Sequence, residues 1–175
     1  TFRAAGTSLS GQSLSDSVLM VAATRWDKYQ VHDGGETISL QPGIIGDRVN
    51  EILKPYGRKF SPDPASLSSA MVGGIMANNA SGMNCGTHAN SDRIVRSMRL
   101  VLADGTILDT GNKASRDSFS CTHARFLTEL MQIREKVMGK PALVKHIRYK
   151  YSIKNVTGLN LLPLVEFEDP FEMIT

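Results

Sequence analysis

Two short stretches carry most of the residues in this sequence that could do chemistry. The first is Arg3-Ala4-Ala5-Gly6-Thr7-Ser8-Leu9-Ser10-Gly11-Gln12. Small residues let a backbone approach a ligand closely, and Gly6 and Gly11 can take positive φ. Successive N–H groups in such a loop form an anion-binding concavity. Thr7, Ser8 and Ser10 add hydroxyl donors suited to phosphate oxygens. The stretch is neither a Gly-x-Gly-x-x-Gly fingerprint nor a P-loop, since no Gly-Lys-Ser/Thr follows. A surface turn rich in small polar residues has the same composition.

The second stretch is Pro62-Asp63-Pro64-Ala65-Ser66, followed by Gly73-Gly74-Ile75-Met76-Ala77-Asn78-Asn79-Ala80-Ser81-Gly82. Two prolines set an extended approach. Ser66 is then placed to cap a helix through the N–H of Ser68 or Ser69. Gly73-Gly74 within a helix would cost about 1 kcal/mol per glycine relative to alanine. Close backbone contact with a ligand, or with a neighbouring element, would explain the pair. Together the two stretches suggest a ligand with a diphosphate and a long aromatic extension.

The elements that must position these stretches follow from periodicity and turn chemistry. Ser17 to Ala23 is an apolar run of strand length and is expected as a buried strand. Tyr29 to His32 and Thr37 to Leu40 flank Gly34-Gly35 as a hairpin. Val49, Ile52 and Leu53 predict a helix over 47–53, stopped by Pro55 and Gly57. A second hairpin spans Arg99 to Leu102 and Thr106 to Leu108, flanking Ala103-Asp104-Gly105, a strong turn signal because Asp-Gly tolerates positive φ at both turn positions. Beyond Gly111 the stretch 114–120 is polar, and then Phe126, Leu127, Leu130, Ile133 and Val137 recur at helical spacing. A further helix is expected over about 142–150. The coarse reading is a mixed α+β domain over 1–112 and a helical segment over 113–175.

Composition narrows the class. The 175 residues are 41% hydrophobic and 21% charged, as in a globular domain. A net charge of +3 suits an anionic ligand, but the basic residues are dispersed without an aromatic platform, which disfavours nucleic acid. No apolar run reaches the roughly 18 residues of a membrane span, and no signal peptide is visible. Cys85 and Cys121 have no metal or redox spacing, and a cytoplasmic location fits free thiols. Phe2-Arg3-Ala4-Ala5 reads as a strand already under way, so the sequence is expected to be a piece of a longer protein.

The first stretch resembles the diphosphate loop of the p-cresol methylhydroxylase-type (PCMH-type, vanillyl-alcohol oxidase) FAD-binding domain. Pro62 to Ser66, Gly73 to Gly82 and the Leu100-Val101-Leu102-Ala103-Asp104-Gly105-Thr106 hairpin resemble the rest of that domain, in the same order. Lys154-Asn155-Val156-Thr157-Gly158-Leu159-Asn160 and Asp169-Pro170 are similar to the D-lactate and D-2-hydroxyglutarate dehydrogenase branch. The resemblance implies a largely antiparallel sheet flanked by helices, the second subdomain of such a domain, with a helical C-terminal segment.

It also implies FAD contacts. Ala4, Ala5, Gly6, Thr7, Ser8, Gly11 and Gln12 would wrap the diphosphate. Pro64 and Ser66 would lie near the flavin or ribityl region, and Gly73, Gly74, Ala77, Asn78, Asn79 and Gly82 would line the other side. Val95 would meet a cofactor edge through its backbone. Thr7 and Ser8 stand where covalent members of the family often place a histidine, so the implied FAD is non-covalent. The implied reaction oxidises a D-2-hydroxy acid to the 2-oxo acid by hydride transfer to flavin N5. Neither a catalytic residue nor a metal site is expected here; base, carboxylate clamp and metal would belong to a substrate domain outside this sequence, as would the electron acceptor. His32, His88, His123 and His146 are scattered, with His88 nearest the second stretch. The family's Gly-Ser-Glu-Gly-Thr motif does not follow Asp169-Pro170, nor does the family's small N-terminal subdomain precede the first loop, so an incomplete cradle with weak FAD retention or none is expected. Another flavin oxidase or reductase on this domain, and a non-catalytic nucleotide-binding module, remain alternatives.

Overall fold

A computed structural model describes residues 1–23, 25–155 and 160–175. They fall into two units, Thr1–Arg93 and Ile94–Thr175. The fold is α+β; among the described residues its strands are arranged as three two-stranded ribbons.

In the first unit β1 (Phe2–Arg3) pairs in parallel with β2 (Met20–Val21), Phe2 opposite Met20 and Arg3 opposite Val21. The expected buried strand over 17–23 is thus only two residues long, and it is exposed: Val18, Met20 and Val21 are all open to solvent and only Ala22 is buried. Apolar content marks the run as strand-forming, but β2 is hydrogen-bonded to β1 alone among the described residues, leaving its faces uncovered. β3 (Tyr29–His32) and β4 (Thr37–Leu40) form the expected antiparallel hairpin, with Tyr29 opposite Leu40 and His32 opposite Thr37. Asp33, Gly34 and Gly35 close it with φ of 50°, 63° and 90°.

α1 (Gly46–Leu53) buries Val49 and Leu53. It ends through a 3-10 turn at Gly57, whose φ of 64° reverses the chain beyond Pro55. α2 (Val72–Ala77) buries Val72 and Ile75. These two helices, with Ile44, Phe60, Leu67 and Ala70, form the unit's core, and Ile38 and Leu40 of β4 pack against it. Ser66 does not act as a side-chain cap; its carbonyl accepts from the N–H groups of Ser69 and Ala70, and the chain turns for one more revolution before α2 starts. α3 (Ser91–Ile94) follows at the end of this unit in sequence.

In the second unit β5 (Arg99–Val101) and β6 (Ile107–Asp109) form the other expected hairpin. Only Gly105 has positive φ in its turn, at 84°. Asp104 stays on the negative side because its carboxylate accepts from the Thr106 N–H at 2.9 Å, which fixes a type I turn followed by a left-handed glycine. The polar 114–120 stretch is helical: α4 (Lys113–Thr122) starts on Asn112, whose side chain accepts from the Ser115 N–H, and is anchored by buried Phe119. One apolar residue and a cap therefore suffice where periodicity is silent.

α5 (Ala124–Met138) and α6 (Pro141–Ser152) follow as expected, separated by Gly139. α7 (Pro163–Glu166) and α8 (Pro170–Ile174) complete the unit. Leu108, Phe119 and Phe171 form one apolar cluster, with Leu127 of α5 against it. Ile147, Leu162 and Val165 form another, with Val137 and Met138 of the same helix against it. α8 is tied to α4 by Arg116, which pairs with Asp169 and lies 4.6 Å over the Phe171 ring. Of the 154–160 run, Val156, Thr157, Gly158 and Leu159 lie outside the described residues.

The turn of the second hairpin is locked by charge. Asp104 also meets the His123 Nε2 at 2.9 Å, and the His123 ring stacks on Phe119 at 4.3 Å. The Thr106 N–H and then the His123 bond hold the Asp104 carboxyl down to about 2 from its ordinary 3.8. A lowered folded pKa stabilises the unit above about pH 4, and that contribution is lost as the pH falls through about 2. Asp104→Asn is accordingly expected to lower the urea midpoint at pH 6, with the gap to the parent chain closing between pH 4 and pH 2. Equal midpoints at pH 6 would contradict the role given to this carboxylate.

Candidate functional site

The first unit holds an open cleft of about 440 Å³, a volume in the range of small-molecule sites. One wall is the loop that leaves β1. Ala4, Ala5, Gly6, Thr7, Ser8 and Gln12 line it. Gly6 has φ of 70°, a conformation that turns the chain immediately after the strand. The Thr7 and Ser8 side chains are exposed, and the Ser8 hydroxyl is bonded to the Gln12 side-chain carbonyl. Gly11, with φ of 71°, shapes the return of this loop, and its carbonyl accepts from the Leu14 N–H; it does not line the cleft.

The opposite wall is the second stretch. Pro64, Ser66, Gly73, Gly74, Ala77 and Asn78 line it. The two glycines of α2 serve different ends. A Cβ at Gly73 would come 2.6 Å from the Pro42 Cβ, and the Gly73 N–H donates to the Pro42 carbonyl at 2.9 Å. A Cβ at Gly74 would meet only Ala4, at 3.3 Å. Gly73 thus lets the helix dock on the chain before α1, while Gly74 lets it approach the first loop. The order of the two stretches in sequence becomes two facing walls in space.

The other expected contacts are placed elsewhere. Asn79 has φ of 44° and spends its side-chain carbonyl on the Asp92 N–H at 3.0 Å. Gly82 is buried against the Asp63 carbonyl, which a Cβ would overlap. Neither lines the cleft, and Val95 belongs to the second unit. Cys85 is buried under this loop; its thiol donates to the Gly82 carbonyl at 3.1 Å and accepts from the Gly82 N–H at 3.0 Å. None of the four histidines lines the cleft. Among the described residues no group of three His, Cys, Asp or Glu is placed to hold a metal, and no helix is long and apolar enough to cross a membrane.

Sequence reasoning missed Phe2, Trp26, Pro42 and Met71, which also line the cleft, and gave no role to Arg3, which heads the first stretch and lines it too. Phe2 and Trp26 face each other with ring centroids 6.2 Å apart, giving it an aromatic end. Trp26 is the one tryptophan in the sequence, a signal that needed the fold to become meaningful. The cleft combines hydroxyls, backbone bared by small residues, an aromatic end and no carboxylate among its lining residues. That set suits an anionic nucleotide cofactor such as FAD: the hydroxyls and bared N–H groups would hold phosphate oxygens, and the aromatic end a ring system.

Comparison with known proteins agrees. Residues 1–111 match the FAD binding domain family, and the chain belongs to it. Among curated relatives, it is 28% identical over 130 residues to D-2-hydroxyglutarate dehydrogenase of Haemophilus influenzae, covering 74% of this chain and 13% of that protein. The same enzyme of Pantoea ananatis is 30% identical over 111 residues, 63% of this chain and 11% of that protein. The glycolate oxidase subunit GlcD of Escherichia coli is 29% identical over 114 residues, 64% of this chain and 23% of that protein. The chain therefore spans a quarter or less of the length of these relatives. No solved structure matches it significantly.

The two glycines give a test of this geometry. Gly73→Ala must displace Pro42, an overpacking cost of about 1–3 kcal/mol set against about 1 kcal/mol of helix propensity. Gly74→Ala has only Ala4 to move. The urea midpoint of Gly73→Ala is expected below that of Gly74→Ala; the reverse order would contradict the docking role given to Gly73.

Proposed function

We propose that this chain supplies part of the FAD cradle of an FAD-dependent dehydrogenase that oxidises a D-2-hydroxy acid to the 2-oxo acid. The observation that carries the cofactor reading is the cleft between the two glycine-rich walls, in a chain that belongs to the FAD binding domain family. The substrate class is supported by relatives named for D-2-hydroxyglutarate and D-lactate. One relative is named for glycolate, so hydroxy-acid chemistry is the broader common ground.

When bound, FAD would supply the two-electron acceptor for that oxidation. The work of this chain is binding and orientation. Ala4 to Ser8 would turn their N–H groups and hydroxyls toward phosphate oxygens, while Gly73 and Gly74 keep α2 close enough to exclude water from the far side. Cofactor attachment is non-covalent in this reading, since no histidine lines the cleft and Thr7 and Ser8 occupy the loop. No residue here is assigned to proton abstraction; substrate and electron-acceptor contacts are assigned to other parts of the protein.

Two measurements test this. FAD is expected to quench the fluorescence of Trp26 reversibly and saturably in the 175-residue chain, with binding weak enough to titrate directly. No binding by this chain or by the full-length protein up to about 1 mM FAD, which corresponds to about 4 kcal/mol of binding free energy, would sink the cofactor reading. In the full-length protein, D-2-hydroxyglutarate or D-lactate should bleach the flavin absorbance. A flavin left oxidised by every 2-hydroxy acid tried would sink the substrate class while leaving the cofactor reading intact.

A further inference from the structure

Arg3 is the one charged residue among those lining the cleft. It lies on β1 immediately before the first loop, and its backbone is engaged in the ladder, the carbonyl accepting from the Ala22 N–H at 2.8 Å. Its side chain folds back over Gly6. A Cβ on Gly6 would lie 2.5 Å from the Arg3 Nε and 2.7 Å from an Nη, so the guanidinium rests directly on the face that glycine leaves bare. Gly6 therefore answers two demands, positive φ and a seat for this cation. Among the described residues the guanidinium has no hydrogen-bond or ion-pair partner. A half-buried guanidinium in a cleft whose lining residues include no carboxylate is left with its donors unspent. Arginine's planar fork matches the paired oxygens of a phosphate better than any other side chain does.

We infer that Arg3 is the charge clamp of this site, its guanidinium, seated on Gly6, binding the diphosphate of the nucleotide cofactor. The inference rests on the flavin reading above and adds to it. In that reading the loop holds the diphosphate by neutral backbone and hydroxyl groups; here the largest single contribution comes from the one cation at the head of that stretch, on β1. Arg3 is thus a binding and positioning residue, and its effect carries the salt dependence of an ionic contact.

The test is FAD titration of the 175-residue chain and of Arg3→Gln and Arg3→Lys, followed by Trp26 fluorescence at low and high salt, with inorganic pyrophosphate as competitor. Circular dichroism checks that the variants keep the parent fold. Arg3→Gln is expected to raise the Kd for FAD about tenfold or more. It should also flatten the dependence of Kd on salt and abolish competition by pyrophosphate, while Arg3→Lys, which keeps the charge but not the fork, falls between. If Arg3→Gln binds FAD as tightly as the parent, or if both variants weaken binding with an unchanged salt dependence, the clamp is overturned and the flavin reading stands. If neither the parent chain nor the full-length protein binds FAD, both readings fall together.

Discussion

Close approach of backbone to backbone is the constraint on which the candidate site depends. α2 reaches the segment before α1 only because Gly73 has no side chain, and it reaches the first loop only because Gly74 meets nothing larger than Ala4. The Gly73 N–H donating to the Pro42 carbonyl then makes the approach a fixed one rather than a loose contact. Bury Ile75 and Val72 beneath that helix, and its small-residue face is held toward the cleft by the core itself. Helix propensity is given up at two positions in a six-residue helix; packing from below and hydrogen bonding from the side offset the loss.

The same economy of side chains runs through the first loop. Gly6 turns the chain out of β1 and leaves room for the Arg3 guanidinium. Small residues are usually argued from what they let a ligand do. Here several of them are explained by protein contacts: Gly73 by Pro42, Gly82 by the Asp63 carbonyl, Gly46 by Leu67. Only part of a glycine-rich signature faces the cleft; the rest builds the scaffold that holds it open. The second unit is stabilised by different means, with aromatic contacts around Phe119 and the Arg116–Asp169 pair linking α4 to α8.

Much of the fold was legible because its signals are local. Both hairpins were marked by their glycine turns, α1 by Val49 and Leu53 with a glycine stop, and α5 by its spacing. What was misread or left unplaced also has physical causes. The run 17–23 is apolar, but burial depends on what covers a strand, and composition cannot report that. α4 has a single buried apolar residue, Phe119, too few for a periodic signal. At Asp104-Gly105 the hairpin was legible but not which residue takes positive φ; Asp104 bonds its own turn, and Gly105 alone takes it.

By itself the sequence determined the chemistry available: small residues and hydroxyls in two ordered stretches, suited to phosphate and characteristic of an FAD-binding family. Those properties are written in residue type and short-range spacing, which a chain carries with it whatever its fold. Only the tertiary structure decided which of those residues share one cleft. It set Gly73 and Gly74 to different tasks, turned Asn79 and Gly82 toward protein partners, gave Arg3 at the head of the first stretch a place in the cleft, and brought in Phe2 and Trp26 from outside the glycine-rich patterns. Such assignments depend on contacts between residues tens of positions apart, and a linear pattern holds no record of which face each backbone turns toward its neighbour.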